Sequence, residues 1–264
     1  GTSLKETGSL QQILKVCEEK NLETQVYSAG SGEPTTEVVN EGVTFAKDFK
    51  PQFVIGIGGG SVFFTATATT EIYTNGGIVQ DYHDGKEFEK PGLPFIAIPT
   101  TAGTGSEITN NAVITDPERG FKKSIRGKNL IANYILLDPE LTLSCPPDIT
   151  AYSGSDALVQ AIEAYVSKWS HPLSDIYAMQ AVVLLAGNLK EVYEHGNNFE
   201  ARAQMLLGSY FAGIAFSNVK LGLVHALAHP IGYRYKIPHG KVCASLLPWV
   251  IEYNCQARSD KYAK

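Results

Sequence analysis

The segment Phe53-Val54-Ile55-Gly56-Ile57-Gly58-Gly59-Gly60-Ser61 is an unbroken apolar run closing in three glycines and a serine. A run of this kind predicts a strand buried on both faces, as in a parallel sheet. The segment that follows it has the pattern of a helix. Glycines at such a junction let the backbone approach a pyrophosphate, and the start of the next helix offers N–H groups and the positive end of its dipole. The same residues also suit an ordinary tight turn, because the match to G-x-G-x-x-G is loose and has serine in the third position.

Working outward, the same alternation of elements recurs on both sides. Upstream, residues 10–21 read as a helix capped by Ser9, residues 23–29 as a strand, 30–34 as a turn, and 36–48 as a helix with Val38, Val39, Val43 and Phe45 at its apolar positions. Downstream, residues 75–91 are polar and rich in Gly and Asp, which reads as a loop insertion, and 94–99 and 134–137 read as two more strands. Strands alternating with helices predict βαβ units and a mainly parallel sheet. Past Pro147 the strand signals stop, and amphipathic helices are predicted at 153–169, 172–194, 199–215 and 221–229. The expected organisation is an α/β domain over residues 1–149 and an all-α domain over residues 150–264.

Composition narrows the function classes. The 264 residues hold 22 Lys and Arg against 27 Asp and Glu, a net charge of -5, so the basic surface that nucleic-acid binding requires is missing. Cys17, Cys145, Cys243 and Cys255 are widely spaced, which points to reduced thiols rather than a disulfide framework, and hence to a cytoplasmic protein. The longest apolar stretch, residues 181–186, is far short of a bilayer span, so no membrane partner is expected.

Two further patterns carry chemistry. Pro99-Thr100-Thr101-Ala102-Gly103-Thr104-Gly105-Ser106-Glu107 follows the strand at 94–99 and places small residues and hydroxyls where α/β sheets bind ligands; with the first glycine loop it points to a nucleotide. In the helical half, Asp156 and Gln160 share a helix face, as do His225 and His229, and His239 follows shortly after. Imidazoles with a carboxylate suit Zn²⁺ or Fe²⁺, and spacing alone pairs His225 with His229 as ligands. Glu163 reads as a helix contact, and His83, His171 and His195 as solvated.

These residues carry a family resemblance. Residues 100–107, Asp156-Ala157-Leu158 with Ala161-Ile162-Glu163-Ala164-Tyr165, Phe216-Ser217-Asn218-Val219, Leu223-Val224-His225-Ala226-Leu227-Ala228-His229-Pro230 and Pro238-His239-Gly240 resemble the iron-containing (group III) alcohol dehydrogenases. The likeness runs in order over nearly the whole chain. It implies a Rossmann-like N-terminal domain and an all-helical C-terminal domain, the dehydroquinate synthase-like fold, with one divalent metal and catalysis in the cleft between the domains. It further implies that Gly58, Gly59, Gly60 and Ser61 seat the pyrophosphate, that Thr100, Thr101 and Thr104 form a second cofactor loop, and that Lys123 lies near the ribose. Asp156, His225 and His239 match three metal ligands, Gln160 stands at the fourth, and His229 matches a residue beside the nicotinamide that could relay a proton.

The chain also departs from the family pattern. Gln160 stands where a histidine is usual, and Phe64 and Thr67 replace an Asp and a Lys after the glycine loop. Family members are longer, so the resemblance implies a fragment, with a strand before residue 1 and helices after residue 264. Gly1-Thr2-Ser3 matches the position where small residues admit the extra phosphate of NADP, a lean toward NADP over NAD. The expected activity is a metal-dependent NAD(P) alcohol dehydrogenase or aldehyde reductase on a small primary alcohol or aldehyde, in a homodimer or higher oligomer. Gln160 keeps two alternatives open: a nucleotide-binding fold without dehydrogenase activity, and a metal-independent reductase.

Overall fold

The computed structural model describes Leu4, residues 8–30 and residues 32–264, and the chain divides in it into two units. The first unit comprises Gly1–Pro99 and Asn110–Leu136. It contains α1 (Ser9–Glu19), α2 (Thr36–Phe49), β1 (Val54–Gly58), α3 (Gly60–Asn75), α4 (Val79–His83), β2 (Phe95–Pro99), β3 (Asn111–Asp116), β4 (Phe121–Arg126) and β5 (Tyr134–Ile135). Strands β1, β2 and β5 form a parallel sheet in that order, with Val54 opposite Phe95 and Ile96 opposite Tyr134. Gly56 is required there, since a Cβ would lie 2.8 Å from the Phe95 ring. Phe63 of α3 packs with Phe95 and Ala97, covering the sheet. A second cluster joins Val39 and Val43 of α2, Ala68 and Ile72 of α3, and Ala112, Ile114 and Ile125 of an antiparallel hairpin formed by β3 and β4.

The second unit comprises Thr100–Thr109 and Leu137–Lys264. After two 3-10 turns, Ser106–Ile108 and Pro139–Thr142, come α5 (Pro147–Val166), α6 (Pro172–Glu194), α7 (Phe199–Val219), α8 (Leu223–Tyr235) and α9 (His239–Tyr262). Helix α5 packs against α6, α7 and α9. Its Ala157 and Ala161 meet Ala181 and Ala212, small residues that let helix axes approach closely, and the larger Leu185 and Met205. On another face Val159 packs with Val224, Ala228, Val242 and Cys243. Among the described residues no single helix is long and apolar enough to cross a membrane, and the apolar pair α7 and α8 is bent by 105° at its junction.

Several expectations need correction. Gly8, in a left-handed conformation, is the N-cap of α1, and Ser9 is its first helical residue. Residues 23–29 form no ladder: alternation needs a partner strand, and instead Tyr27 docks on α2, its hydroxyl donating to the Val38 carbonyl at 2.7 Å. The polar stretch at 75–91 contains α4, anchored by Asn40, whose Oδ1 accepts the Val79 N–H. The β3–β4 hairpin and helix α9 come in addition to the expected elements, and α5 begins at Pro147, ahead of the expected start at residue 153.

Two glycines test the packing. Gly240, the second residue of α9, sits so close to α5 that a Cβ would run into the Tyr152 carbonyl, whereas Gly187 in α6 has open space around its Cβ position. Gly240→Ala should lower the urea unfolding free energy by about 1–3 kcal/mol. Gly187→Ala should raise it by about 0.5–1 kcal/mol, by restricting the unfolded chain and favouring the helix.

Candidate metal centre and cofactor loops

Helix α5 carries Asp156, Gln160 and Glu163 at i, i+4 and i+7, on one face, and all three are buried. Carboxylates held this far from water need compensating partners, and α8 and α9 bring them. Glu163 accepts the backbone N–H groups of Gly222 (2.9 Å) and Val224 (2.6 Å) at the start of α8, and the Nδ1–H of His225 (2.7 Å). The other ring nitrogen of His225, Nε2, lies 3.3 Å from Asp156 Oδ1. His239, the first residue of α9, has its Nε2 3.6 Å from the same oxygen. One turn later, Cys243 Sγ lies 3.5 Å from His239 Nε2. Donor atoms of Asp156, His225, His239 and Cys243 all fall within 4.8 Å of one another.

The charges are mutually supporting. Burial opposes the charged ring of His225, but its hydrogen bonds to Asp156 and Glu163 outweigh this and raise its pKa to about 9. Burial likewise opposes the Asp156 carboxylate, yet the hydrogen bond from His225 and the proximity of His239 hold it below the usual carboxylate range. Burial, with Asp156 nearby, pushes the Cys243 thiol well above its ordinary value. Gln160 Nε2 donates to Asp156 Oδ2 at 3.0 Å, and its buried Oε1 has no hydrogen-bond partner among the described residues. A histidine whose Nδ1–H is fixed on a carboxylate presents Nε2 as metal-ligating histidines do. With a converging carboxylate, a second imidazole and an unsatisfied amide oxygen, the donor set fits a divalent transition-metal ion.

His229, one turn beyond His225 and exposed, lies outside this set; its ring stacks on His239 with centroids 5.0 Å apart. The helical spacing that pairs His225 with His229 therefore misleads, and His239 is the second histidine of the cluster. Glu163, expected as a helix contact, instead caps α8 and orients His225. His83 is buried, not solvated: its Nε2 is 3.2 Å from the Lys123 carbonyl oxygen and its ring packs near Phe121. His171 caps α6 by accepting the Ser174 N–H, and His195 is exposed beside Glu191.

In the first unit, β1 runs through Gly58 into α3, whose N-cap is Gly59 and which has no side-chain cap, so Gly60 and Ser61 open the helix with backbone N–H groups only. A Cβ on Gly58 would collide with Val62. This backbone junction fits a pyrophosphate. The neighbouring departures serve packing: Phe64 lies against the hairpin cluster and the Thr67 hydroxyl donates to the Phe63 carbonyl. Lys123 Nζ donates to the His83 carbonyl. Gly1, Thr2 and Ser3, on which the lean to NADP rests, lie outside the described residues.

The second loop, with Thr100, Thr101 and Thr104, belongs to the helical unit. Gly103 and Gly105 allow it to lie on α5 and α7, where a Cβ would strike Ser153 and Gly213 respectively. Thr104 Oγ1 is 2.6 Å from Ser106 Oγ. Glu107 beside it is buried.

Comparison with known proteins gives the family. The family model for iron-containing alcohol dehydrogenase matches residues 1–139, and that for the C-terminal part of the Fe-containing alcohol dehydrogenase family matches residues 150–264. The NAD-dependent methanol dehydrogenase of Bacillus methanolicus is 38% identical, with 98% of this chain and 68% of that protein covered. The NADPH-dependent butanol dehydrogenase of Clostridium saccharobutylicum is 36% identical over 100% of this chain and 68% of its own length. The crystal structure of sulfoacetaldehyde reductase from Bifidobacterium kashiwanohense in complex with NAD+ superposes with a TM-score of 0.92 at 33% identity, covering 96% of this chain and 67% of that one. These relatives are oxidoreductases, and the fold shared with them has an α/β domain and an α-helical domain. The chain belongs to the iron-containing alcohol dehydrogenase family, and spans about two thirds of the length of the relatives it matches.

Burial raises the Glu107 carboxyl from its ordinary 4.5 to about 7, against a smaller opposing effect of its own backbone N–H. Between those values the folded protein keeps a proton that the unfolded chain releases, so stability falls as pH rises through this window and levels off above it. Glu107→Gln should abolish that slope and, at pH 8, stabilise the protein by at most about 3 kcal/mol. Urea midpoints measured at pH 5 and pH 8 for both proteins check this.

Proposed function

We propose that this chain carries the metal site and cofactor loops of an NAD(P)-dependent alcohol dehydrogenase or aldehyde reductase acting on a small primary alcohol and its aldehyde. The observation that carries the reading is the buried His225, held by Glu163 on one side and turned toward Asp156 and His239 on the other. Asp156, His225 and His239 would hold a divalent ion, Fe²⁺ or Zn²⁺, which would supply Lewis acidity toward an alcohol or carbonyl oxygen, and a bound nicotinamide would supply the hydride acceptor or donor.

The chain's own residues do the rest. Glu163 keeps the His225 tautomer and ring angle correct for ligation. His239 is the most exposed of the three ligands, its side chain 31% accessible, which supports approach of substrate from its side. His229, exposed and stacked on His239, moves a proton between substrate oxygen and solvent. Gly58, Gly59, Gly60 and Ser61 seat the pyrophosphate on backbone N–H groups, Thr100, Thr101 and Thr104 supply hydroxyls to the cofactor, and Lys123 serves its ribose side. Residues 1–149 would then act as the dinucleotide-binding part and residues 150–264 as the metal-binding part. Exposed Leu173, Ile176 and Val183 on α6 support a homodimer or higher oligomer, and four free cysteines support a cytoplasmic setting.

Elemental analysis of anaerobically purified protein should find one iron or zinc per chain. His225→Ala should abolish both metal retention and cofactor-dependent alcohol oxidation. Glu163→Gln should weaken metal affinity by about 10–100-fold in a chelator competition. Turnover that persists in metal-stripped protein would establish the metal-independent reductase instead, and cofactor binding without any turnover the nucleotide-binding reading motivated by Gln160.

A further inference from the structure

Within the cluster on α5, α8 and α9, one donor lies outside the expected ligand set, although its Sγ is in hydrogen-bond reach of His239. Cys243 is fully buried, lies one helical turn from His239, and has its Sγ among the convergent donor atoms. We propose that Cys243 Sγ, and not Gln160, is the fourth protein donor of the metal site, giving an Asp156–His225–His239–Cys243 set of the N, O and S donors that zinc takes. The proposal rests on the reading that these residues hold a divalent ion.

Three observations carry it. The first is spacing. Ordinary zinc bond lengths and a tetrahedral angle place an N and an O donor about 3.3 Å apart and an S and an N donor about 3.6 Å apart. The observed separations are 3.3 Å and 3.6 Å from Asp156 Oδ1 to the two imidazole nitrogens, and 3.5 Å from Cys243 Sγ to His239 Nε2. The second is donor type. Asp156 and Glu163 already match the charge of a divalent ion, and a thiolate adds a softer, anionic donor where the Gln160 amide offers only a neutral oxygen. The third is the position of Gln160, whose Nε2 is engaged with Asp156 Oδ2 and so orients the carboxylate. When the ion binds, the Sγ–H bond breaks, the proton leaves to solvent and a metal–sulfur bond forms; a coordinating thiol is deprotonated outright by the metal. No electron is transferred.

X-ray absorption on the full chain, stripped of metal and reloaded with zinc alone, tests this together with zinc counted by elemental analysis. The expected result is one zinc per chain with a sulfur scatterer at about 2.3 Å beside nitrogen and oxygen at about 2.0–2.1 Å. Cys243→Ser should lose the sulfur shell, and Gln160→Ala should keep it. One zinc with nitrogen and oxygen neighbours only in the unaltered protein would overturn the role of Cys243 while leaving the metal centre standing. Failure to retain zinc at all would overturn the metal centre itself, and this proposal with it.

Discussion

Two carboxylates on one face of α5, Asp156 and Glu163, are removed from water, and the architecture of the helical unit follows from compensating them. Glu163 does so twice, by closing the first turn of α8 with its backbone N–H groups and by fixing His225. A negative group at a helix start is favourable in itself, so one side chain sets where α8 begins and which way its first histidine faces. Asp156 then draws the imidazoles of α8 and α9 together, and Gly240 lets α9 come close enough to deliver His239. Chemistry and packing are thus the same contacts.

The first unit obeys a different constraint, that of backbone approach. Gly56 leaves room for the Phe95 ring between paired strands, and Gly58 and Gly59 turn β1 into α3 without side chains. Both functional regions depend on glycine, but in one it admits a neighbouring helix and in the other it keeps the strand-to-helix junction bare.

Much of this was legible in the order of residues. The run at 53–61 marked β1 and its turn, and helix α6 was bounded correctly because Pro172 at its first position, with Ser174 bonded back to His171, is a local signal. Asp156, His225 and His239 were placed through family motifs, while periodicity alone would have chosen His229. What escaped depends on tertiary partners. The β3–β4 hairpin alternates well only when its buried residues are known, and α9 was hidden by Gly240 and Pro248 within a helix. The His239 to Cys243 spacing of one turn was a readable signal, but it has meaning only once α9 is recognised as a helix. His83 looked solvated because nothing local reports the cover provided by the hairpin.

The threonine loop at Thr100–Thr109 has a bearing on how the molecule is made. It precedes nearly all of the helical unit in the chain yet is packed into it, against Ser153 of α5 and Gly213 of α7. Emerging from the ribosome, this loop must wait, unpartnered, until both helices have been synthesised, so the helical unit cannot close in the order in which it is translated. The piece from residue 137 onward is likewise incomplete as a unit: excised, it would leave bare the faces of α5 and α7 that the loop covers.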